Sequence, residues 1–166
     1  MSGVHHPKAY ICAGEGFRVG TRESNIEVID SVGSFNPSLK VKAGEAITAG
    51  NLVYISGWDA ANKIFIVKKA KADASTAAGK CAHFVAPEAI ANGAIGIVRG
   101  MHELTNQNAN YDVGTPVYLS TIAGGWTNTA SSTAGQSVQY VGVVTAKSAT
   151  AGKVLLFPFY SKAIVA

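Results

Sequence analysis

The sequence is short of charge, and of arginine in particular. Charged residues make up 14% of the chain, against about 25% in typical soluble domains. The only arginines are Arg18, Arg22 and Arg99, and no acidic residue follows Asp112. A nucleic-acid-binding surface needs clustered basic residues with exposed aromatics between them, so we expect no nucleic-acid partner. A monomer with so few charges is poorly protected against self-association, which indicates that partners cover much of the surface.

The sequence also lacks the motifs of metal, cofactor and membrane proteins. Its two cysteines, Cys12 and Cys81, form no Cys-x-x-Cys pair, and its four histidines belong to no ligand motif. No apolar stretch of a secretory signal occurs in residues 1–10, and the run from Val154 to Tyr160 is too short to span a bilayer. We therefore expect no cofactor, no metal and no membrane contact, in a soluble protein made in the cytoplasm.

Catalytic patterns are missing as well. No Gly-x-Ser-x-Gly elbow is present, and the glycines between Gly14 and Gly20 do not match the spacing of a dinucleotide-binding loop. The ten acidic residues are scattered and offer no evident carboxylate pair. We predict that the protein is not an enzyme.

What the sequence does contain is a repeated strand pattern. Gly50 to Ser56 and Gly114 to Ser120 both read Gly-x-x-Val-Tyr-(Ile/Leu)-Ser, and a Gly-Trp pair follows each. In a second pair of segments, Gly93 to Val98 and Gly152 to Phe157, a turn glycine precedes an apolar strand. Repetition of this kind predicts an all-β fold: a small β-barrel, or a β-tulip-like or β-sandwich body.

The chain divides into an extended N-terminal arm, residues 1–40, and a β body, residues 41–166. The body consists of two similar units, at about 41–100 and 113–160. Between them, the Asn-rich residues 101–112 predict a loop or a short edge strand. Asn92-Gly93 favours a hairpin turn over a single helical turn. Within the arm, residues 24–27 fit a helix-capping box, although Ile26 and Val28 alternate equally well as a strand.

Several of these segments resemble one protein family. They are Ala43 to Tyr54, Gly114 to Ser120, Gly124 to Thr127, Val138 to Val144 and Lys153 to Phe157. Together they are similar to tailed-bacteriophage capsid decoration (cement) proteins and related head-fibre modules, over about residues 41–160. The resemblance implies a small β-barrel or β-tulip-like body, often trimeric, on the outside of an icosahedral shell. It implies no catalytic residues, and the arm matches nothing in the family.

The function that follows is a structural virion protein that binds the outer capsid surface and cements neighbouring major capsid proteins. It would be made in the host cytoplasm and would form a homotrimer or a dimer. The candidate capsid-binding residues of the arm, chosen because aromatics and arginine dominate interfaces, are Tyr10, Phe17, Arg18 and Arg22. The candidates for a secondary contact, which otherwise form a solvated strand face or sheet edge, are Lys63, Lys68, Lys69 and Lys71.

An alternative is a receptor-binding or glycan-binding adhesion module of the fibre-tip type. In that case Trp58, Trp126, Tyr111 and Tyr118 would form a stacking platform for sugars. Packing in a core or an interface is the more common role of such aromatics.

Overall fold

All regular structure in the described part of the chain is β. The computed structural model describes residues 36–73, 80–158 and 163–165, and no helix occurs in these ranges. The strands form a closed five-stranded barrel, an open five-stranded sheet and a two-stranded ribbon. The prediction of an all-β fold with a small barrel is therefore confirmed. Of the predicted arm, residues 1–35 lie outside the described residues.

Five strands close the barrel, in the order β1-β3-β2-β4-β5. Their bounds are β1 Ser38–Ala43, β2 Leu52–Asp59, β3 Ile64–Lys69, β4 Phe84–Val85 and β5 Ile95–Arg99. β1 shows why the sequence folds this way: Val41 and Ala43 are buried, whereas Lys40 and Lys42 alternate with them towards solvent. The position at which we divided arm from body, residue 40, falls inside this strand.

The barrel closes because β1 pairs on both of its sides. It runs parallel to β3, with Val41 opposite Phe65, and antiparallel to β5, with Leu39 opposite Val98. No edge of the barrel is left open between these strands. The side chains that fill its interior are Val41, Ala43, Ile47, Val53, Val67, Ala86, Ile90 and Val98.

The second sheet has the strand order β6-β11-β10-β7-β8. Its bounds are β6 His102–Ala109, β7 Pro116–Leu119, β8 Trp126–Thr127, β10 Tyr140–Ala146 and β11 Ser148–Leu156; β9 Ser137–Val138 and β12 Ala163–Ile164 form the separate ribbon. The Asn-rich stretch, which we expected to be a loop or a short edge strand, is a full eight-residue edge strand, β6. The sequence of β6 shows no alternation of apolar and polar residues, because an edge strand is largely exposed to solvent and most of its side chains are polar.

The barrel and the second sheet share one core. Backbone bonds join them: Leu52 N–H donates to Gly124 O (2.9 Å), Gly124 N–H to Ala70 O (2.7 Å) and Ala72 N–H to Ser120 O (2.9 Å). Gly124 has a φ of +77°, a conformation that residues with a side chain rarely adopt. The buried residues of the shared core are Leu52, Ala70, Ala72, Ala82, Val85, Leu104, Ala109, Val117, Leu119, Val141, Val144, Val154 and Leu156.

A buried glutamine bridges the same junction. Gln139 is fully buried, and its side-chain amide forms two bonds with the backbone of Ala82. Ala82 N–H donates to Gln139 Oε1 at 2.7 Å, and Gln139 Nε2 donates to Ala82 O at 2.8 Å. The side chain thus satisfies the backbone N–H and C=O of Ala82, as a neighbouring strand would. Ala82 itself lies just before β4 and is not part of a barrel strand.

The repeated sequence pattern corresponds to repeated local structure in its first pair of segments. Gly50 and Gly114 both have positive φ, +83° and +87°, and each precedes a strand, β2 or β7. In the second pair, Gly93 (φ +78°) is also a turn residue, before β5. Our interpretation of Gly152 as a turn glycine is wrong, because Gly152 lies inside β11, where the register with β6 shifts.

The favoured turn at Asn92-Gly93 is present. Ala94 N–H donates to Ala91 O at 3.0 Å, and Ile90 forms an isolated bridge with Ile47. The turn does not close a tight hairpin, since β4 and β5 pair only through Val85 and Arg99.

We expect Gln139→Ala to lower the free energy of unfolding by roughly 2–5 kcal/mol, because it leaves the N–H and C=O of Ala82 buried without their partner. Urea unfolding measures this. A matched control is Gln107→Ala, which removes a partly exposed glutamine whose hydrogen bond to Thr105 O is open to solvent and should change stability by less than about 0.5 kcal/mol. Equal effects of the two substitutions would contradict this role for Gln139.

Candidate interaction surface

Exposed apolar side chains are concentrated on the barrel. Six large hydrophobic residues of the described ranges are exposed, and four of them belong to barrel strands: Trp58, Phe65, Ile95 and Ile97. The other two, Val113 and Ile122, lie in separate turns next to β7 of the second sheet. A group of exposed apolar residues on one part of a protein marks an interaction surface, whereas scattered single residues do not.

Strand pairing places the two isoleucines beside lysines on the wall formed by β1 and β5, and the two aromatics beside each other next to the β2–β3 turn. Lys40 is opposite Ile97, and Lys42 is opposite Ile95. Between these two levels, Val41 is opposite Phe65, which in turn is opposite Trp58. We call the following six residues the barrel patch: Trp58, Phe65, Ile95, Ile97, Lys40 and Lys42.

An aromatic pair forms one end of the barrel patch. The rings of Trp58 and Phe65 are 5.2 Å apart and meet edge to face, at an interplanar angle of 71°. They lie beside the turn at residues 60–63, which joins β2 to β3. Trp58 is 53% exposed. A rigid aromatic with half of its surface open can anchor a partner at low cost in side-chain entropy.

An ion pair holds Lys42, one of the two lysines of the barrel patch. Lys42 Nζ lies 2.7 Å from Asp59 Oδ2, and Asp59 Oδ1 accepts the backbone N–H groups of Ala61 and Asn62. The hydrogen bond from Lys42, followed by those from Asn62, holds the pKa of Asp59 well below its usual range. Asp59 therefore fixes both the β2–β3 turn and the position of Lys42 beside Ile95.

The lysines predicted for a secondary contact are spread along β3 and its flanks. Lys63 lies in the turn before β3 and has a φ of +53°, whereas Lys68 and Lys69 lie within the strand. Lys71 follows the strand and pairs with Asp73 at 2.7 Å. Since a strand rises about 3.3 Å per residue, Lys63 and Lys69 are about 20 Å apart, so the four lysines form no single cluster. Their contact with a capsid stays a prediction.

The predicted capsid-binding residues of the arm, Tyr10, Phe17, Arg18 and Arg22, lie outside the described residues. Their role also stays a prediction.

The four aromatics of the alternative sugar platform do not lie together. Tyr111 and Trp126 pack against the shared core, and Tyr118 meets Tyr140 edge to face at 6.3 Å. Trp58 is on the barrel, beside Phe65. The arrangement gives no common stacking surface.

Sequence reasoning missed Ile95 and Ile97, since an apolar run after a turn glycine is typical of a core strand. Within β5 only Val98 is buried. The sequence did contain a sign that the two isoleucines are exposed. Arg99 alternates with them along β5, so it lies on the same face of the strand, and a charged residue indicates that this face meets solvent.

The described residues contain no group of three or more His, Cys, Asp or Glu side chains arranged to hold a metal ion. Within the same ranges there is no helix with the length and apolar character needed to cross a membrane.

Comparison with solved structures reveals a similar fold. The chain is similar to the crystal structure of the head fiber gp8.5 N base in bacteriophage phi29, with a TM-score of 0.50 and 17% sequence identity. The alignment covers 78% of this chain and 98% of that one. At this identity the likeness concerns the fold alone. No protein-family model matches the sequence, and no curated protein matches it.

The Lys42–Asp59 pair predicts an acid-sensitive contribution to stability. Folding lowers the pKa of this carboxylate, so the ionised group stabilises the native state at pH values above its pKa in the unfolded chain, about 3.9. The stabilisation is lost as the pH falls from there towards the pKa in the folded state. We therefore expect the stability difference between the wild type and Asp59→Asn to be constant from about pH 7 to pH 5 and to narrow below about pH 4. Urea unfolding across this range tests it. A gap that stays constant down to pH 3 would argue against a lowered pKa.

Proposed function

We propose that this protein is a structural component of a bacteriophage virion, attached to the outside of the head. There it binds the major capsid protein and cements neighbouring capsid subunits. The observation that carries the proposal is the barrel patch, an apolar surface with lysines on a closed barrel. The fold likeness to a head fiber base and the sequence resemblance to decoration proteins support the same proposal of a structural role in the virion.

The barrel patch has the composition of a protein-binding surface. Exposed aromatic and aliphatic anchors supply most of the binding energy in protein–protein contacts, and lysines near them add long-range attraction to an acidic partner. Because the barrel is closed, its patch strands offer no free backbone edge to a partner. Binding through this surface would use side chains and would leave the barrel fold unchanged.

Attachment to a shell also benefits from repetition. A protein that contacts two neighbouring subunits, or that associates with copies of itself as a trimer or dimer, gains effective concentration at each additional contact. Moderate contacts then suffice for stable attachment. The arm candidates, Tyr10, Phe17, Arg18 and Arg22, would extend the contact beyond the barrel. The proposed role involves no catalysis.

Removing two anchors of the patch should weaken attachment strongly. For the double variant Trp58→Ser/Ile97→Ser we expect a loss of about 2–4 kcal/mol in binding to heads that lack the protein, or roughly 30- to 1,000-fold in Kd. Co-sedimentation over a range of protein concentrations measures this. Both side chains are more than half exposed, so the melting temperature should change little.

The matched control is Val113→Ser/Ile122→Ser, which removes two exposed apolar residues (67% and 75% exposed) from turns beside the second sheet. It should bind heads as the wild type does. If the control loses binding and the patch variant keeps it, the shell-binding surface lies on the second sheet. If neither full-length protein nor variants co-sediment with heads, the proposed function is wrong.

The arm makes a separate prediction. A protein that lacks residues 1–22, and with them all four candidate anchors, should keep its β fold by circular dichroism. We expect its binding to heads to fall at least about tenfold, because interface aromatics and arginines often contribute more than 1 kcal/mol each. Saturation of heads at the wild-type concentration would exclude the arm as a binding element.

A further inference from the structure

A cavity of ≈ 530 Å³ lies where the barrel meets the two outer strands of the second sheet, β6 and β8. Sites for small molecules usually enclose about 300–1,000 Å³, so a ligand of modest size would fit. Three parts of the chain line the cavity: residues 49–51 and Pro87 on the barrel side, residues of β6 between His102 and Gln107, and residues 124–126 at β8. The cavity shares no residue with the barrel patch.

Trp126 gives this cavity an aromatic wall. It belongs to β8, where it is opposite Leu119, and its side chain packs against the shared core. Trp126 is only partly buried and also lines the cavity. A ring that is held by the core and borders a cavity offers a ligand an apolar surface with a negative π face.

One face of β6 turns towards the cavity. Leu104 is apolar and lies directly against Gly50, where an added Cβ would meet Leu104 Cδ2 at 3.1 Å. His102 alternates in step with Leu104 along the strand and therefore points to the same side. Burial, followed by the positive charge of Arg99, lowers the pKa of His102, so its imidazole is neutral at pH 7. A neutral imidazole offers one hydrogen-bond donor and one acceptor.

Asn51 supplies amide donors in a fixed orientation. Its Oδ1 accepts the backbone N–H of Thr48 (2.9 Å) and the hydroxyl of Thr48 (2.8 Å). Nδ2 is therefore directed the other way, towards Gly124, where an added Cβ would lie only 2.8 Å from it. Gly124 and Asn51 both line the cavity. The N–H groups of Asn51 Nδ2 are thus placed at the wall of the cavity.

A second amide lines the cavity, and charged groups do not face it. Gln107 Nε2 donates to Thr105 O at 2.9 Å, which leaves Oε1 to accept. Glu103 is a lining residue too, but its carboxylate is bound on the opposite face of the sheet, by Thr145 Oγ1 (3.0 Å) and Lys153 Nζ (3.4 Å). Among the described residues, no lysine, arginine or aspartate lines the cavity. A charged ligand would find no counter-ion there.

An aromatic ring beside neutral donors and acceptors is complementary to a neutral sugar. The C–H groups on one face of a sugar ring form an apolar surface with a slight positive charge, which suits the π face of tryptophan. Each sugar hydroxyl both donates and accepts hydrogen bonds, and amides and a neutral imidazole provide both kinds of partner. A purely apolar ligand would instead leave these polar groups buried without partners.

We propose that this cavity is a binding site for a neutral saccharide. The sugar ring stacks on Trp126. Its hydroxyl groups bond to Asn51, His102 and Gln107. The site uses a single aromatic ring together with polar side chains, unlike a platform of four aromatics. The proposal does not depend on capsid binding by the barrel patch.

A glycan array probed with the full-length protein tests the proposal and identifies the sugar. We expect binding to at least one neutral glycan, with no requirement for sialic acid, sulfate or phosphate. Calorimetric titration with the free mono- or disaccharide that binds best then measures Kd, which should be about 1 mM or lower for a ligand of this size. Binding to no neutral glycan, or to charged glycans only, would overturn the proposal.

Two substitutions determine where the sugar binds. Asn51→Asp keeps the oxygen that accepts from Thr48 but replaces the Nδ2 donors with a second oxygen, and should raise Kd at least about tenfold. Trp126→Leu keeps an apolar side chain against the core and removes the stacking face, with a similar expected loss. The matched control is Asn108→Asp, which makes the same change of charge at an exposed position of β6 outside the cavity lining. It should leave Kd unchanged.

Circular dichroism checks that each variant is folded. If Trp126→Leu does not fold, Gln107→Ala takes its place, since it should hardly affect stability, and we expect it to raise Kd roughly three- to tenfold. Sugar binding that survives Asn51→Asp together with either of the other two substitutions would place the sugar elsewhere on the protein and contradict the proposal.

Discussion

The structure depends on one buried junction between the barrel and the second sheet. Neither sheet encloses the shared core alone, since Leu52 and Val85 come from barrel strands and Val117, Val141 and Val154 from the second sheet. Burial of this apolar surface supplies the driving force. The polar backbone that is buried with it must find partners, and Gly124 and the side chain of Gln139 provide them. Without these bonds, the apolar core would carry the cost of unpaired N–H and C=O groups.

The same junction determines which surface remains for partners. It covers the barrel wall at the start of β2 and at β4, which are neighbours in the strand order. Among the described residues, the exposed apolar side chains of the barrel lie on the wall formed by β1 and β5 and at the end that carries the β2–β3 turn, and these make up the barrel patch. A closed barrel is also rigid, so its exposed anchors are already positioned and lose little entropy on binding. Such a body suits the proposed attachment to a preformed shell.

Part of this arrangement could be predicted from the sequence. The glycines at positions 50 and 114 mark turns because only a residue without a side chain adopts their φ easily, and the alternation around Val41 marks a strand. The full length of β6 could not be predicted, because an edge strand with polar side chains shows no alternation of apolar and polar residues. The role of Gln139 depends on Ala82, 57 residues away, and no local pattern records such a contact. The exposure of Ile95 and Ile97 depends on which barrel wall the second sheet covers, which only the tertiary fold decides.

We propose that the barrel patch attaches the protein to the outside of a phage head. A density map of assembled heads with the protein bound tests this most directly. If the proposal is right, the map will show the β body on the outer surface of the shell, with Trp58, Phe65 and Ile97 in contact with major capsid protein and the body placed across neighbouring subunits. Density for the body that touches the shell only through the second sheet, with the barrel patch facing solvent, would contradict it.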